Sequence, residues 1–381
     1  LTGGIEIRPA VTAAEMERFV RLPLALNRRD PAWSPPLLVE RRESLSPKHN
    51  PFFQHAEAAF WLATRGGRDV GRISAQIDRL APTDADAPAG FFGMVAAIDD
   101  PEVFAALAAT AEAWLKARGC AVARGPFNLS INEEVGLLVD GFDTPPMLMM
   151  GHDPPYAGAR LEALGYAKLK DVYAYICDTA TDIPAAARRR IERSTPKGVT
   201  LRMLDLKRYD AEVRTLTEIF NDAWAGNWGF TPLTEAETDH LGKSLKLLLN
   251  PRLVWFAEID GEPAGFGVTL PNLNEAARDL DGRLFPFGIV KLLWRLKVKG
   301  LKSGRVPLMG VKRKFLGDGD ARGAMLPFLI IDAMRREALA LGIKRVEMSW
   351  ILEDNRPMRR IIETVGGERY KTYRIYEKAL S

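Results

Sequence analysis

The chain is poor in cysteine and histidine. Of its 381 residues two are cysteine, Cys120 and Cys177, and four are histidine, His49, His55, His152 and His240. No spacing among them matches a zinc site, so no metal is expected. Each cysteine sits in a short apolar run with strand character and reads as a reduced, buried thiol. Long apolar runs are missing as well. None approaches the roughly 18 residues of a membrane-spanning helix, and the opening Leu-Thr-Gly-Gly is not a secretory signal. A cytoplasmic protein is expected. There is no Walker loop, no HExxH, no serine elbow and no glutamate-rich helix of the pyrophosphohydrolase kind. Charge of one sign is also lacking overall. The net charge is only +4, which implies no general affinity for nucleic acid.

What the chain does have is size and self-similarity. With 47% hydrophobic residues it can bury two ordinary cores. Trp61, Ala63, Gly67 and Gly71 recur as Trp255, Ala257, Gly261 and Gly265, an offset of 194. Leu161, Glu162, Gly165, Lys170 and Tyr175 recur as Ile362, Glu363, Gly366, Lys371 and Tyr376, an offset of 201. Two ordered matches at nearly one offset indicate a duplicated unit of roughly 180 residues. The expected domains are 1–178 and 198–381, joined by 179–197.

Each half parses in the same order: strand, helices, hairpin, strand, helix, strand, helix, strand. In the first half a helix from about Thr12 to Leu22 is interrupted by Pro23. The hairpins turn at Arg65-Gly66-Gly67-Arg68 and at Asp260-Gly261. Phe104, Leu107, Ala111 and Leu115 form one helical stripe after the capping Asp99-Asp100-Pro101. The fold class is α/β, with a mixed sheet in each half.

This order resembles the GNAT acyltransferase fold, here in tandem, over most of both halves. The runs Gly125-Pro126-Phe127-Asn128, Gly136-Leu137-Leu138-Val139-Asp140-Gly141-Phe142-Asp143 and Pro286-Phe287-Gly288 are similar to a bacterial tandem-GNAT group that includes ceramide synthases. The resemblance implies an N-acyltransferase. Its co-substrate would be acyl-CoA or an acyl carrier protein thioester, and its acceptor an amine, including a long-chain lipid amine. It also places the acyl donor in the second half. Met309, Gly310 and Val311 lie on the fourth strand, which in that fold lends a backbone N–H to the oxyanion. Gly317, Gly319, Ala321, Arg322 and Gly323 surround the turn that opens a helix toward a pyrophosphate. Leu316 stands where the family has Arg or Gln, and Asp318 and Asp320 add negative charge that Lys312, Arg313, Lys314 and Arg322 would offset. Asn355 matches the family's pantetheine contact. Ile362 replaces the usual acidic Tyr. The first half lacks the glycine turn and reads as a degenerate cofactor site.

The acceptor side is expected in loop 125–153. Its Asn128, Ser130 and Asn132, with Tyr156 just beyond, are candidates for binding substrate. Glu134 or His152 would take the proton of an incoming ammonium, and Glu347 on the second half's fifth strand is a rival base. The second half inserts residues 271–305. From Arg283 to Lys314 there are ten Lys or Arg and no acid, interleaved with apolar residues. A helix from Gly288 to about Lys299 would have the composition of an interfacial amphipathic helix, a peripheral contact with the inner membrane face through 283–305. A core-packing helix with a solvated basic face is the alternative. Nucleic acid is not expected, because no aromatic array accompanies the charge. Two other functions remain open: a binding or regulatory protein that kept the fold without the chemistry, and a tRNA-dependent aminoacyl transferase.

Overall fold

The computed structural model describes residues 3–380 apart from 182, 186–187, 190, 192–195, 247 and 318–320. In chain order its strands are β1 (Ile5–Pro9), β2 (Ala56–Arg65), β3 (Arg68–Asp78), β4 (Ala89–Ala97), β5 (Val122–Gly125), β6 (Phe127–Asn128), β7 (Glu134–Val135), β8 (Leu137–Asp140) and β9 (Ala167–Asp178). The second half follows with β10 (Val199–Met203), β11 (Val254–Ile259), β12 (Glu262–Pro271), β13 (Ser303–Val311), β14 (Arg345–Leu352) and β15 (Glu368–Ala379).

The repeat is visible in the pairing register. β1 sets Ile7 opposite Ala63 of β2, and β10 sets Leu201 opposite Ala257 of β11. The hairpins pair Ala63 with Gly71 and Ala257 with Gly265, and each shifts register immediately after that alanine. Every one of these positions is related by the offset of 194. A bulge kept at one site in both copies is a built feature of the hairpin. Each copy then adds a parallel rung, β4 with β5 and β13 with β14, which requires a helical crossover.

Two compact units result. The first holds residues 1–172, 277–288 and 371–381, and the second holds 173–276 and 289–370. In the first, Phe104, Leu107, Ala111 and Leu115 of helix Pro101–Lys116 are all buried, with Ala63, Ile73, Phe92 and Ala123 in the same cluster. Full burial of such side chains contributes about 1.5–3 kcal/mol each for the larger ones. In the second, helix Ala321–Ala340 buries Leu326, Ile330 and Met334 in one cluster with Ala257, Ala264, Val306 and Val346.

The units do not follow chain order as the expected 1–178 and 198–381 do. The last strand of each repeat completes the unit built mainly from the other. β15 pairs β5, with Tyr376 opposite Gly125, and β8, with Tyr373 opposite Leu138. The Tyr376 hydroxyl donates to Glu162 at 3.0 Å inside the first unit, and the Tyr175 hydroxyl donates to Glu363 at 3.2 Å inside the second. The repeated Glu and Tyr are therefore reciprocal partners, an exchange that chain position cannot reveal.

The first helix, Ala13–Leu26, runs through Pro23 rather than stopping before it. Proline cannot donate to the carbonyl four residues back. That carbonyl belongs to Phe19, and Arg72 donates to it at 2.7 Å. A distant side chain thus satisfies the acceptor that the proline leaves.

Deleting residues 371–381 is expected to loosen the first unit. Hydrogen exchange should rise in Val122–Gly125 and Leu137–Asp140, whereas protection lost only in the second unit would contradict the exchange.

Candidate functional site

The second unit presents the donor-side residues on an interrupted ladder. β13 and β14 run together from Ser303 opposite Arg345 to Val306 opposite Met348, and the rungs end there. Pro307 comes next and has no N–H to give. β13 stays zipped to β12 as far as Val311 opposite Gly265. Lys312 donates its N–H to Ala264 at 2.8 Å, so strand alternation turns the main-chain groups of Met309 and Val311 away from β12. The Met309 carbonyl lies on that side, where the Trp224 indole donates to it at 3.3 Å. Trp224 also packs edge-on against Trp350 at 5.8 Å and tilted against Phe220 at 4.9 Å. The parted strands are thus lined by backbone amides and aromatic rings.

The turn beyond β13 is tight. A Cβ on Gly323 would lie 1.7 Å from the Phe315 carbonyl oxygen, so only glycine lets the helix start there. Ala321 and Arg322 open that helix, and Gly317 stands before it; Gly319 lies outside the described residues with Asp318 and Asp320. The flanking cations face other acids. Lys312 reaches Glu218 at 2.6 Å, Lys314 reaches Glu262 at 2.5 Å, Arg322 reaches Asp260 at 2.7 Å, and Asp222 accepts the Arg313 N–H at 2.7 Å. Such surface pairs are worth about 0–1 kcal/mol each, so an incoming phosphate could exchange them cheaply. Asn355 caps helix Arg356–Thr364 by accepting the Met358 N–H at 3.2 Å.

Glu347 is closed in. It is fully buried, Ser349 and Tyr370 donate hydroxyl hydrogen bonds to it, and the Arg305 guanidinium lies 3.6 Å away. That environment suits a structural ion pair in the sheet.

In the first unit the β4–β5 ladder also ends, after Phe91 opposite Arg124, but the place beyond it is filled. A Cβ on Gly93 would lie 1.8 Å from the Phe127 carbonyl oxygen, so β6 presses directly on β4. Asn128 accepts the Met94 N–H at 2.8 Å and donates to Glu134 at 2.7 Å. Gln76, wholly buried, donates to the Phe127 and Leu129 carbonyls at 2.6 and 3.2 Å. The Tyr156 hydroxyl donates to the Ala97 carbonyl at 2.7 Å. Ser130 accepts the Asn132 N–H at 3.1 Å and closes a turn. Loop 125–153 is therefore a set of short strands and turns filling the place that remains parted in the second unit.

Charge gathers behind this filled strand end. Arg41, from helix Leu38–Ser44, pairs with Glu134. Burial pushes the Glu134 carboxyl up, but the Arg41 charge and the Asn128 amide outweigh it and hold it below the ordinary range. For its neighbour Glu133 burial wins, aided by Glu40 and Glu134 against Arg41, and the carboxyl is pushed up to about 8. Asp153 is pushed up to about 7 by burial and Glu134, although the Leu138 N–H and Arg72 oppose the rise. Burial and the Arg41 charge bring Arg72 down to about 9. Adjacent carboxylates driven apart in this way are typical of sites that move protons.

His152 lies beside this group in the chain. Its Nε2 is 2.8 Å from Asp30, burial lowers its pKa, and its side chain is 2% exposed. Nδ1 is buried without a partner among the described residues. The ring is held in place but faces the interior. Sequence reasoning had Glu133 and Asp153 inside the acceptor-side loop 125–153 without giving either a role, and it missed Asp30, Arg41, Arg72 and Trp224, which reach their places from other segments. Among the described residues no group of three or more His, Cys, Asp or Glu could hold a metal, and no helix is long and apolar enough to cross a membrane.

The chain is 61% identical over 377 residues to a bacterial ceramide synthase of Caulobacter vibrioides, covering 99% of this chain and 98% of that one. The chain belongs to the bacterial tandem-GNAT family that includes this ceramide synthase. Protein YghO of Escherichia coli is 45% identical over 374 residues, covering 98% and 95%. No protein-family model matches. A tandem GNAT protein from the clavulanic acid biosynthesis pathway shares the fold with a TM-score of 0.58, 16% identity and 99% coverage of both chains. A GCN5-related N-acetyltransferase from Sphaerobacter thermophilus does so with a TM-score of 0.52, 14% identity and coverage of 99% and 96%. As a tandem-GNAT protein the chain is an acyltransferase, and the GNAT fold implies an acyl-CoA co-substrate.

The raised Glu133 carboxyl has a consequence for stability. Its folded pKa of about 8 exceeds the ordinary 4.5, so the contribution is full below about 4.5 and is lost as pH rises through 8. Glu133→Gln should therefore melt progressively higher than the parent as pH goes from about 5 to about 9. A melting difference that stays flat with pH would contradict the shift.

Proposed function

We propose that this tandem-GNAT protein transfers a long-chain acyl group from a coenzyme A or acyl-carrier thioester to the amine of a sphingoid-type lipid base. The observation that carries the reading is the end of the β13–β14 ladder after Val306 and Met348, beyond which a pantetheine arm would lie along the outer edge of β13. The Met309 and Val311 amides turn to that side and suit the developing oxyanion. Trp224 and Trp350 suit an acyl chain. Gly317, Gly319, Ala321, Arg322 and Gly323 take the pyrophosphate, with Asn355 as its neighbour near the arm. The 61% identity to a ceramide synthase supports the lipid amine as acceptor.

The residues of loop 125–153 serve the acceptor amine. Glu134 stays ionised in its pair with Arg41 and anchors Asn128. Glu133, with a pKa near that of the working solution, takes the proton of the ammonium. The neutral nitrogen then attacks the thioester carbonyl, the C–N bond forms, the C–S bond breaks, and the thiolate leaves to be protonated. Asn128 ties Glu134 to the backbone, and Ser130 and Asn132 shape the same turn. Access to the lipid acceptor is served by a peripheral membrane contact through 283–305 at the cytoplasmic face.

Long-chain acyl-CoA should raise the melting temperature, and adding a sphingoid base should release free thiol. The rate should rise with pH through about 8, because the base must be deprotonated. Glu133→Gln should cut turnover roughly 10²–10⁴-fold and abolish that limb without weakening the acyl-CoA shift. No thermal shift with any thioester would favour a protein that kept the fold without the chemistry. Full turnover in Glu133→Gln would remove this residue from the mechanism.

A further inference from the structure

Large apolar side chains rarely stand in open solvent in groups. Here five of them with more than half of their surface exposed fall between residues 285 and 298: Phe285 (77%), Phe287 (80%), Val290 (66%), Trp294 (51%) and Val298 (71%). Helix Gly288–Trp294 continues as a π-helical turn, Arg295–Lys299. Within it Val290, Trp294 and Val298 recur every four residues and share one stripe. Leu292 is buried and Leu293 and Leu296 are half-buried, so the leucines form the inward face of the helix. Arg295 points the same way and donates to the Ala276 carbonyl at 2.6 Å.

The cations complete the outward face. Lys291, Lys297 and Lys299 are exposed on the helix, and Arg283 and Lys302 are exposed on either side of it. No acidic residue occurs from Arg283 to Lys314. A solvated structural helix would place polar residues outward and bury its valines and tryptophan. This one presents an aliphatic and indole stripe flanked by lysines, the combination that inserts into acyl chains while pairing with lipid phosphates. A nucleic-acid surface would need several stacking rings, and the stripe has one.

We propose that the outward face of helix 288–299 docks on a membrane surface rich in anionic lipid. This deepens the reading of a lipid acceptor, and one arm of its test rests on that reading. The probe is flotation with vesicles of phosphatidylcholine alone and of phosphatidylcholine mixed with phosphatidylglycerol. The protein should float with the mixed vesicles far more than with the neutral ones. Replacing Lys291, Lys297 and Lys299 together by Gln should weaken binding on the order of 100-fold, at roughly five-fold per lysine. Replacing Val290, Trp294 and Val298 together by Ser should weaken it by at least ten-fold at unchanged charge. Both variants should melt like the parent. Both should turn over a short-chain, water-soluble amine normally and lose rate only on a vesicle-borne one. Equal flotation of parent and variants, or no flotation of the parent, overturns the proposal. So does tighter binding to a duplex oligonucleotide than to vesicles. Absence of thiol release with every amine would overturn the acyltransfer reading and leave the flotation result standing.

Discussion

The way a pair of parallel strands ends decides what each unit can do. Both copies build the same twisted hairpin, the same register shift and the same parallel rung. Beyond the rung, β4 is covered by β6, with Gly93 under the Phe127 carbonyl and Asn128 on the Met94 N–H. Among the described residues no strand covers β13 in that way, and Pro307 offers no hydrogen bond to continue the ladder. Backbone groups in a sheet must be satisfied. One copy satisfies them with its own loop, and in the other the β13–β14 pairing ends after Val306 and Met348. A duplicated fold can in this way divide its work without changing its topology.

The exchange of terminal strands ties that division together energetically. Each unit lacks its last strand until the other repeat supplies it, and the buried Tyr175 and Tyr376 mark the two insertions. Neither half of the chain carries a full set of pairing partners. A mutation in the C-terminal strand is therefore felt in the core of the first unit, where Tyr376 is wholly buried beside Phe92 and Ala123.

The first unit spends stability on charge. Arg41, Arg72, Glu133, Glu134 and Asp153 occupy partly buried positions where two carboxyls rise to about 8 and about 7 and one guanidinium falls to about 9. Desolvated charges cost several kcal/mol unless paired. Glu134 and Arg41 compensate each other, with Asn128 donating to the carboxylate. A cluster this unfavourable is hard to explain by folding and easy to explain by proton transfer. Glu347 shows the contrast, since it is fully buried with Arg305, Ser349 and Tyr370 around it.

The residues alone determined the duplication, the α/β class, the hairpins, the glycine-rich helix start and the basic insertion. These depend on local periodicity and on spacing, which a chain displays along its length. The stripe of helix Pro101–Lys116 was legible for the same reason. Tertiary structure alone decided the rest. Whether Pro23 ends a helix depended on Arg72, 49 positions away in the numbering. Which repeat owns the last strand depended on pairing between distant segments. The upward shift at Glu133 came from burial, with Glu40 on a separate helix adding to it against Arg41, and the outward turn of Val290, Trp294 and Val298 came from which face the leucines buried. Local spacing sets what an element can be, but desolvation and long-range contacts set what its side chains face.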